Sequence, residues 1–278
     1  MPEFRQNFIT KEWVIIAPER AKRPDQFAKK ESNQITSPER DPKCPFCPGN
    51  EDQTPSTTML LKKNGQWNLR VVPNKFAAVN SELIPERRNV GQFLSANGFG
   101  IAEVIIESPV HNTCLGLMPK DEIKYVIEAY KTRFSALAKN DNVDLITIFR
   151  NHGQAAGTSL IHPHSQIIAT PIVPPTIRQQ MQQALFYHDT YGKCPYCVML
   201  NEELAQEARI IIEGKYHVVF CPYSSSVPFE TKIIPGSHTL SDHIKFKDYL
   251  KGLSLDVIWH PDNKEFMNCI PNSVVTIH

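Results

Sequence analysis

The 278-residue chain has almost no net charge: 30 Lys and Arg stand against 29 Asp and Glu, a formal +1. That balance excludes the strongly basic footprint of a general nucleic-acid binder. The chain also lacks any uninterrupted apolar run near the ~20 residues a membrane-spanning helix needs, so no membrane partner is expected. The opening MPEFRQNFITKEW has no apolar core of the kind a secretory leader carries. A cytoplasmic location is the expectation. Hydrophobic residues make up 41% and charged residues 21%, an ordinary globular mixture that excludes intrinsic disorder. At this length one large domain or two small ones can each bury a sizeable core.

What the chain does have is cysteine in a pattern. Four of its seven cysteines form two C-P-aromatic-C units, Cys44-Pro45-Phe46-Cys47 and Cys194-Pro195-Tyr196-Cys197. A C-x-x-C spacing lets two thiolates grip one ion, and in a reducing compartment such pairs serve metal or redox chemistry more often than disulfides. A redox pair belongs at a strand-to-helix junction. The first pair lies instead between DPK and PGNED, which points to a metal knuckle in a loop. Cys114, Cys221 and Cys269 stand alone and are expected to be small buried hydrophobes.

The periodicity outlines an alternation of strands and helices. Trp13–Ala17 is strand-like and leads into a basic turn, Arg20-Ala21-Lys22-Arg23-Pro24. Residues 25–57 are polar loop around the first C-x-x-C. Strands are expected at Leu69–Val72, Ala102–Glu107, Leu145–Phe149 and 161–169. A helix over 121–139, capped by Asp121, would place Ile123, Val126, Ile127, Tyr130, Phe134 and Leu137 on one face. After the stiff segment 170–175 the plan partly repeats: a helix at 177–187, the second C-x-x-C, strands at Ile210–Ile212, His217–Phe220 and Phe229–Pro235, then a helix at Ile244–Leu253. Each half sets a C-x-x-C before a strand that ends near a Pro and a His, His111 in the first and His238 in the second. This points to an internal duplication.

The densest chemistry lies at 150–169, in RNHGQAAGTSLIHPHSQIIA. On a strand, alternate side chains share a face, so His162, His164 and Gln166 project together. Pro163 has no N–H to donate, which suggests an edge strand or a bulge. The Gly-, Ala-, Ser- and Thr-rich loop before them lets backbone N–H groups approach an anion, with Asn151, Thr158 and Ser159 as further donors. A structural zinc site needs four ligands. Cys44, Cys47 and His111 supply three, so one of His162 and His164 completes the set and the other is available for chemistry. Read as residues alone, Lys22 and Arg23 form a solvated basic turn.

That segment, together with CPFCPGNE at 44–51, RVVPNKF at 70–76 and RAKRP at 20–24, resembles the galactose-1-phosphate uridylyltransferases, nucleotidyltransferases of the histidine triad superfamily. The resemblance runs from about residue 10 to about 240. It implies that His164 attacks the α-phosphorus of a nucleotide sugar. It implies that His162 joins Cys44, Cys47 and His111 around zinc, and that Gln166 hydrogen-bonds the nucleotidyl-enzyme. Asn151 and Ser159 match the family's phosphate contacts, with Thr158 beside them, and Arg23 and Asn74 match its nucleotide-side contacts. Cys194, Cys197 and His238 would hold a second metal ion, its fourth ligand being water, His278 or a neighbouring chain. The implied fold is α+β: two histidine-triad-like halves, 1–170 and 171–278, each a mainly antiparallel sheet with covering helices. The second half is expected to be incomplete, because residues 268–278 resemble the strand just before further family elements.

The expected activity is ping-pong transfer of UMP between UDP-glucose and a hexose 1-phosphate through a uridylyl-His164, as in galactose metabolism. The family's shared-site architecture implies a homodimer. Related enzymes use the same histidine segment as ADP-sugar or dinucleoside-polyphosphate phosphorylases, and no residue quoted above reads uracil against adenine. A zinc-stabilised nucleotide-binding protein without catalysis is the alternative from another class.

Overall fold

The computed structural model describes residues 3–16, 37–153, 156, 158, 160–227 and 230–235, together with the backbone of 255–259 and 273–277. In chain order its strands are β1 (Glu3–Gln6), β2 (Trp13–Ile16), β3 (Met59–Lys63), β4 (Gln66–Pro73), β5 (Arg87–Val90), β6 (Phe93–Ala96) and β7 (Ile101–Ile106). The helix α1 (Lys120–Leu137) precedes β8 (Leu145–Phe149) and β9 (His164–Thr170). Then come α2 (Pro175–Tyr191), α3 (Pro195–Gln206), β10 (Ile210–Glu213), β11 (His217–Phe220), β12 (Thr231–Pro235), β13 (Leu255–Trp259) and β14 (Ser273–Ile277). Among the described residues ten of these strands form one sheet, ordered β10-β11-β12-β13-β14-β8-β9-β7-β4-β3. Its ladders are antiparallel throughout, as an α+β fold requires. The sheet passes from one half of the chain to the other at a single registered pair, Ile277 with Ile148.

The first half is built on β9. It pairs with β7 from Ile106–His164 to Ile101–Ala169 and with β8 from Phe149–Gln166 to Leu145–Thr170. Period-2 alternation sorts its side chains: Ser165, Ile167 and Ala169 are buried, while His164, Gln166 and Ile168 on the other face are half-buried. The buried set packs with Leu69, Val71, Ile105, Ile146 and Ile148 beneath Val126, Ala129, Tyr130 and Leu137 of α1. The other face carries Val72, Val104 and Ile106, covered by Cys44, Phe46 and Cys47. In the second half, Leu200 of α3 packs on Val218, Phe220 and Ile234.

Several local expectations shift. Asp121 is not the cap of α1; that position is Pro119, and Asp121 sits in the first turn, 2.7 Å from Lys63 Nζ, where a carboxylate suits the helix dipole. Ile127 turns outward at 54% exposure, because the buried stripe runs through Val126, Ala129 and Tyr130 instead. The strand expected from 161 begins at His164 and is central, so Pro163 lies neither on an edge strand nor within the ladder. A missing N–H costs nothing at that entry position, and the Pro163 carbonyl still accepts the Glu107 N–H at 3.1 Å. The helix expected at Ile244–Leu253 falls outside the described residues.

Ile167 is fully buried at the centre of this arrangement. Ile167→Ala should lower the unfolding free energy by about 2–5 kcal/mol through lost burial and the cavity left behind. Ile127→Ala on the solvent side of α1 should stay within about 0.5 kcal/mol. Urea-unfolding midpoints of the two variants test the pair; equal effects would contradict the assignment of faces.

Candidate functional site

The site lies where β7, β8 and β9 end on the face opposite α1. The loop 41–50 folds as a knuckle: the Cys47 N–H donates to Cys44 O and the Asn50 N–H to Cys47 O, both at 3.2 Å. The Asn50 side chain ties the loop to Pro42 O and Cys44 O at 3.0 and 2.8 Å. Gly49 takes φ +89°, a left-handed conformation that favours glycine. Its N–H donates to Glu51 Oε2 at 2.9 Å, while Glu51 Oε1 accepts from Trp67 Nε1 at 2.8 Å. The knuckle is thereby anchored to β4.

Here Cys44, Cys47, His111 and His162 converge, all buried, with one ligand atom from each within 4.8 Å of every other. Cys47 Sγ lies 3.5 Å from His111 Nδ1 and 3.6 Å from His162 Nδ1. A tetrahedral ion with Zn–S of about 2.3 Å and Zn–N of about 2.05 Å requires an S···N edge of about 3.6 Å. The donor set therefore fits such an ion. The opposite nitrogen of His162 donates to Ser108 O at 2.8 Å, which presents Nδ1 to the cluster in the manner of an outer-shell hydrogen bond. Burial pushes the Cys44 thiol up to about 11 and the His162 imidazole down to about 4. Both groups thus favour their neutral forms, and a metal must displace the thiol proton on binding.

His164 stands beside this cluster without being part of it. Its Nδ1 pairs with the His162 carbonyl at 2.8 Å; a carbonyl only accepts, so Nδ1 carries the proton and Nε2 presents a lone pair. Burial lowers its pKa below the ordinary 6.5, against the opposing influence of that carbonyl and of Glu107. The imidazole is neutral at pH 7, as a nucleophile must be. Phe46, the aromatic of the first C-x-x-C, meets the rings of His162 and His164 edge-on at 6.0 and 5.4 Å.

Gln166 lies two residues on, on the face of His164. Its Oε1 accepts from Asn74 Nδ2 at 3.4 Å, while Asn74 Oδ1 takes the Phe76 N–H at 3.0 Å. The chain of acceptors leaves the Gln166 amide N–H groups as donors. Phe149 pairs with Gln166, and extending that antiparallel register by two residues brings Asn151 level with His164. Thr158 bends back, its N–H on Gly153 O at 3.3 Å. Arg23, Ser159, His238 and His278 fall outside the described residues. Cys194 is the N-cap of α3 and Cys197 lies in its first turn, so the second pair opens a helix, unlike the first. Among the described residues the first cluster is the one group that could hold a metal.

Four residues given no role from sequence belong to this neighbourhood. Phe46 had a signal, since both C-x-x-C units carry an aromatic at that position. Glu107 and Arg150 are buried and paired at 2.9 Å, and only the inward parity of Glu107 in the alternation of β7 hinted at it. His152 is half-buried, and burial with Arg150 and His164 nearby pushes it down to about 3.

His162→Ala removes one of the four candidate ligands, so it should lower bound metal and the melting temperature together. Chelator should strip the unmodified protein faster in acid than at neutral pH, because protons compete for thiolate and imidazole. Full metal content in the His162→Ala protein would mean that the site is closed by another group.

The family description "Galactose-1-phosphate uridyl transferase, N-terminal domain" matches residues 1–174. The chain is 35% identical over 257 residues to ADP-glucose phosphorylase of Arabidopsis thaliana, covering 91% of this chain and 71% of that protein. It is 30% identical over 239 residues to galactose-1-phosphate uridylyltransferase of Thermotoga maritima, covering 86% and 68%. Its fold superimposes on the crystal structure of an Arabidopsis thaliana ADP-glucose phosphorylase with bound ADP-glucose at a TM-score of 0.69 and 27% identity, covering 100% of this chain and 88% of that one. A uridylyltransferase structure at 0.62 and 22% identity shares the fold. With half of its length or more inside the family description and its motifs assembled at one site, the chain belongs to the galactose-1-phosphate uridylyltransferase family of nucleotidyltransferases.

Proposed function

We propose that the protein transfers a nucleotidyl group from a nucleoside diphosphate sugar through a covalent adduct on His164. The observation that carries this is the tautomer: Nδ1–H is committed to the His162 carbonyl at 2.8 Å, which leaves Nε2 as the attacking atom. In the first half-reaction Nε2 attacks the α-phosphorus, the bond from that phosphorus to the bridging oxygen breaks, and a sugar 1-phosphate leaves. The ring gains positive charge as the N–P bond forms, and the carbonyl already placed at Nδ1 stabilises it. In the second half-reaction a phosphate oxygen of the acceptor displaces His164 and restores the neutral imidazole. The Gln166 amide donates to a non-bridging oxygen, and Asn151, Thr158 and Ser159 donate to the phosphates. Arg23 and Asn74 complete the nucleotide side. We propose zinc for the Cys44, Cys47, His111 and His162 cluster, following the preference of thiolate–imidazole sites; the ion's role is to fix the knuckle and His162. A second ion on Cys194, Cys197 and His238 belongs to the same reading, as do the two halves 1–170 and 171–278 and a cytoplasmic homodimer.

Two donor–acceptor assignments stand on this chemistry. Transfer of UMP between UDP-glucose and a hexose 1-phosphate is supported by the family description and the Thermotoga maritima relative. Transfer of AMP from ADP-glucose to inorganic phosphate is supported by the 35% identity and 91% coverage of the Arabidopsis thaliana phosphorylase and by its structural likeness. The higher identity and coverage favour the second. Turnover of ADP-glucose with phosphate, set against UDP-glucose with galactose 1-phosphate, decides between them.

His164→Ala should keep the fold and the metal yet lose the adduct, with turnover reduced on the order of 10⁴-fold or more. Mass spectrometry of protein mixed with each nucleotide sugar reads the adduct directly. Normal turnover in a well-folded His164→Ala protein would remove His164 from the mechanism and leave a nucleotide-binding protein as the better account.

A further inference from the structure

We propose that Glu107 is the hub of a buried positioning network that sets the aim of His164 and the height of Asn151 beside it. This inference rests on His164 being the nucleophile. Glu107 directly follows β7, and its side chain lies on the α1 side of the sheet, away from the substrate face. It is fully buried, as is Ser165, and Arg150 and Tyr130 are nearly so. The carboxylate takes hydrogen bonds from the Ser165 hydroxyl and from Arg150 Nε, the latter at 2.9 Å to its second oxygen, and Tyr130 OH lies 3.3 Å from its first oxygen. Tyr130 OH also bonds Ser165 Oγ. With Ser165 donating to the carboxylate, the phenol donates to Ser165, giving a continuous chain from α1 to the end of β7. Burial, with the Glu107 charge beside it, holds the phenol protonated.

The network's members are neighbours of the site's members. Ser165 adjoins His164, and Arg150 adjoins Asn151. The Glu107 N–H holds Pro163 O at 3.1 Å, and the next residue, Ser108, offers its carbonyl to His162 at 2.8 Å. Successive residues of a strand point to opposite faces. Fixing the Ser165 side chain on one face therefore fixes the roll of the backbone from which His164 projects on the other. A carboxylate buried without partners is strongly disfavoured, so Ser165 and Arg150 are held to it and the phenol is held to Ser165 behind them, and a fully satisfied network in a low dielectric is stiff. Misplacing a reacting group by ~1 Å costs about a hundredfold, which makes such stiffness consequential. Glu107 touches neither substrate nor reacting atoms and is a positioning residue.

The test uses the full chain with its metal and whichever of ADP-glucose and UDP-glucose labels the unmodified protein. Ser165→Ala and Tyr130→Phe remove one hydroxyl each and leave the Glu107–Arg150 pair in place. Metal content, melting temperature, nucleotide-sugar Kd and the single-turnover labelling rate at saturating nucleotide sugar are measured for each. Ser165→Ala should slow labelling about tenfold with metal content and Kd unchanged, and Tyr130→Phe should slow it less. A merely structural role would lower melting temperature or metal content and leave the rate per metal-loaded molecule intact. That result overturns the proposal, as does a rate loss explained by weaker nucleotide binding alone. Glu107→Gln leaves Arg150 buried without its counter-charge and is expected to fold poorly, so the hydroxyl variants decide. Absence of any adduct in the unmodified protein would instead overturn the nucleophile reading, and this inference with it.

Discussion

The site depends on one strand being paired on both edges and covered on both faces. β9 exchanges backbone hydrogen bonds with β7 and β8, packs Ile167 and Ala169 under α1, and carries His164 and Gln166 on its other side. A strand held in this way has no freedom to slip, because a one-residue shift would send the histidine into the apolar core. The positions of His164, Gln166 and Asn151 relative to one another are consequences of that register.

The knuckle solves a different problem. The loop 41–50 has no ladder to hold it, so a few directed hydrogen bonds and the convergence of its two thiols on a four-residue cluster that could hold a metal take the place of secondary structure. Two thiols from the loop meet imidazoles from the ends of the neighbouring segments. The same loop delivers Phe46 to the edges of both histidine rings. The candidate metal cluster and His164 are thus separate in chemistry and joined in packing: His162 is both a candidate ligand and, through its carbonyl, the acceptor that fixes the His164 tautomer.

Charge is distributed to match. The buried Glu107–Arg150 pair is net neutral and lies behind the strand, so it adds no fixed charge to the face that carries His164. The face that carries His164 is furnished with neutral groups, the Gln166 amide beside a neutral imidazole. A neutral imidazole can form a bond to phosphorus and then carry the positive charge that results.

Much of this was legible in the amino-acid sequence. The C-x-x-C spacing, the His-x-His-x-Gln alternation and the small-residue loop are local patterns, and local patterns fix which side chains share a face or grip an ion. The helix α1 and most strands were outlined by periodicity for the same reason. Other features were set by tertiary structure alone. Whether β9 is central or on an edge depends on partners more than 50 residues away in sequence, such as β7, and Pro163 by itself pointed the wrong way. The outward turn of Ile127 was settled by which stripe of α1 met the sheet. Burial of Glu107 and Arg150 required three strands and a helix to converge, and no short window of sequence contains all four. Sequence by itself determined the chemistry available to this protein; the pairing of distant strands decided where that chemistry points.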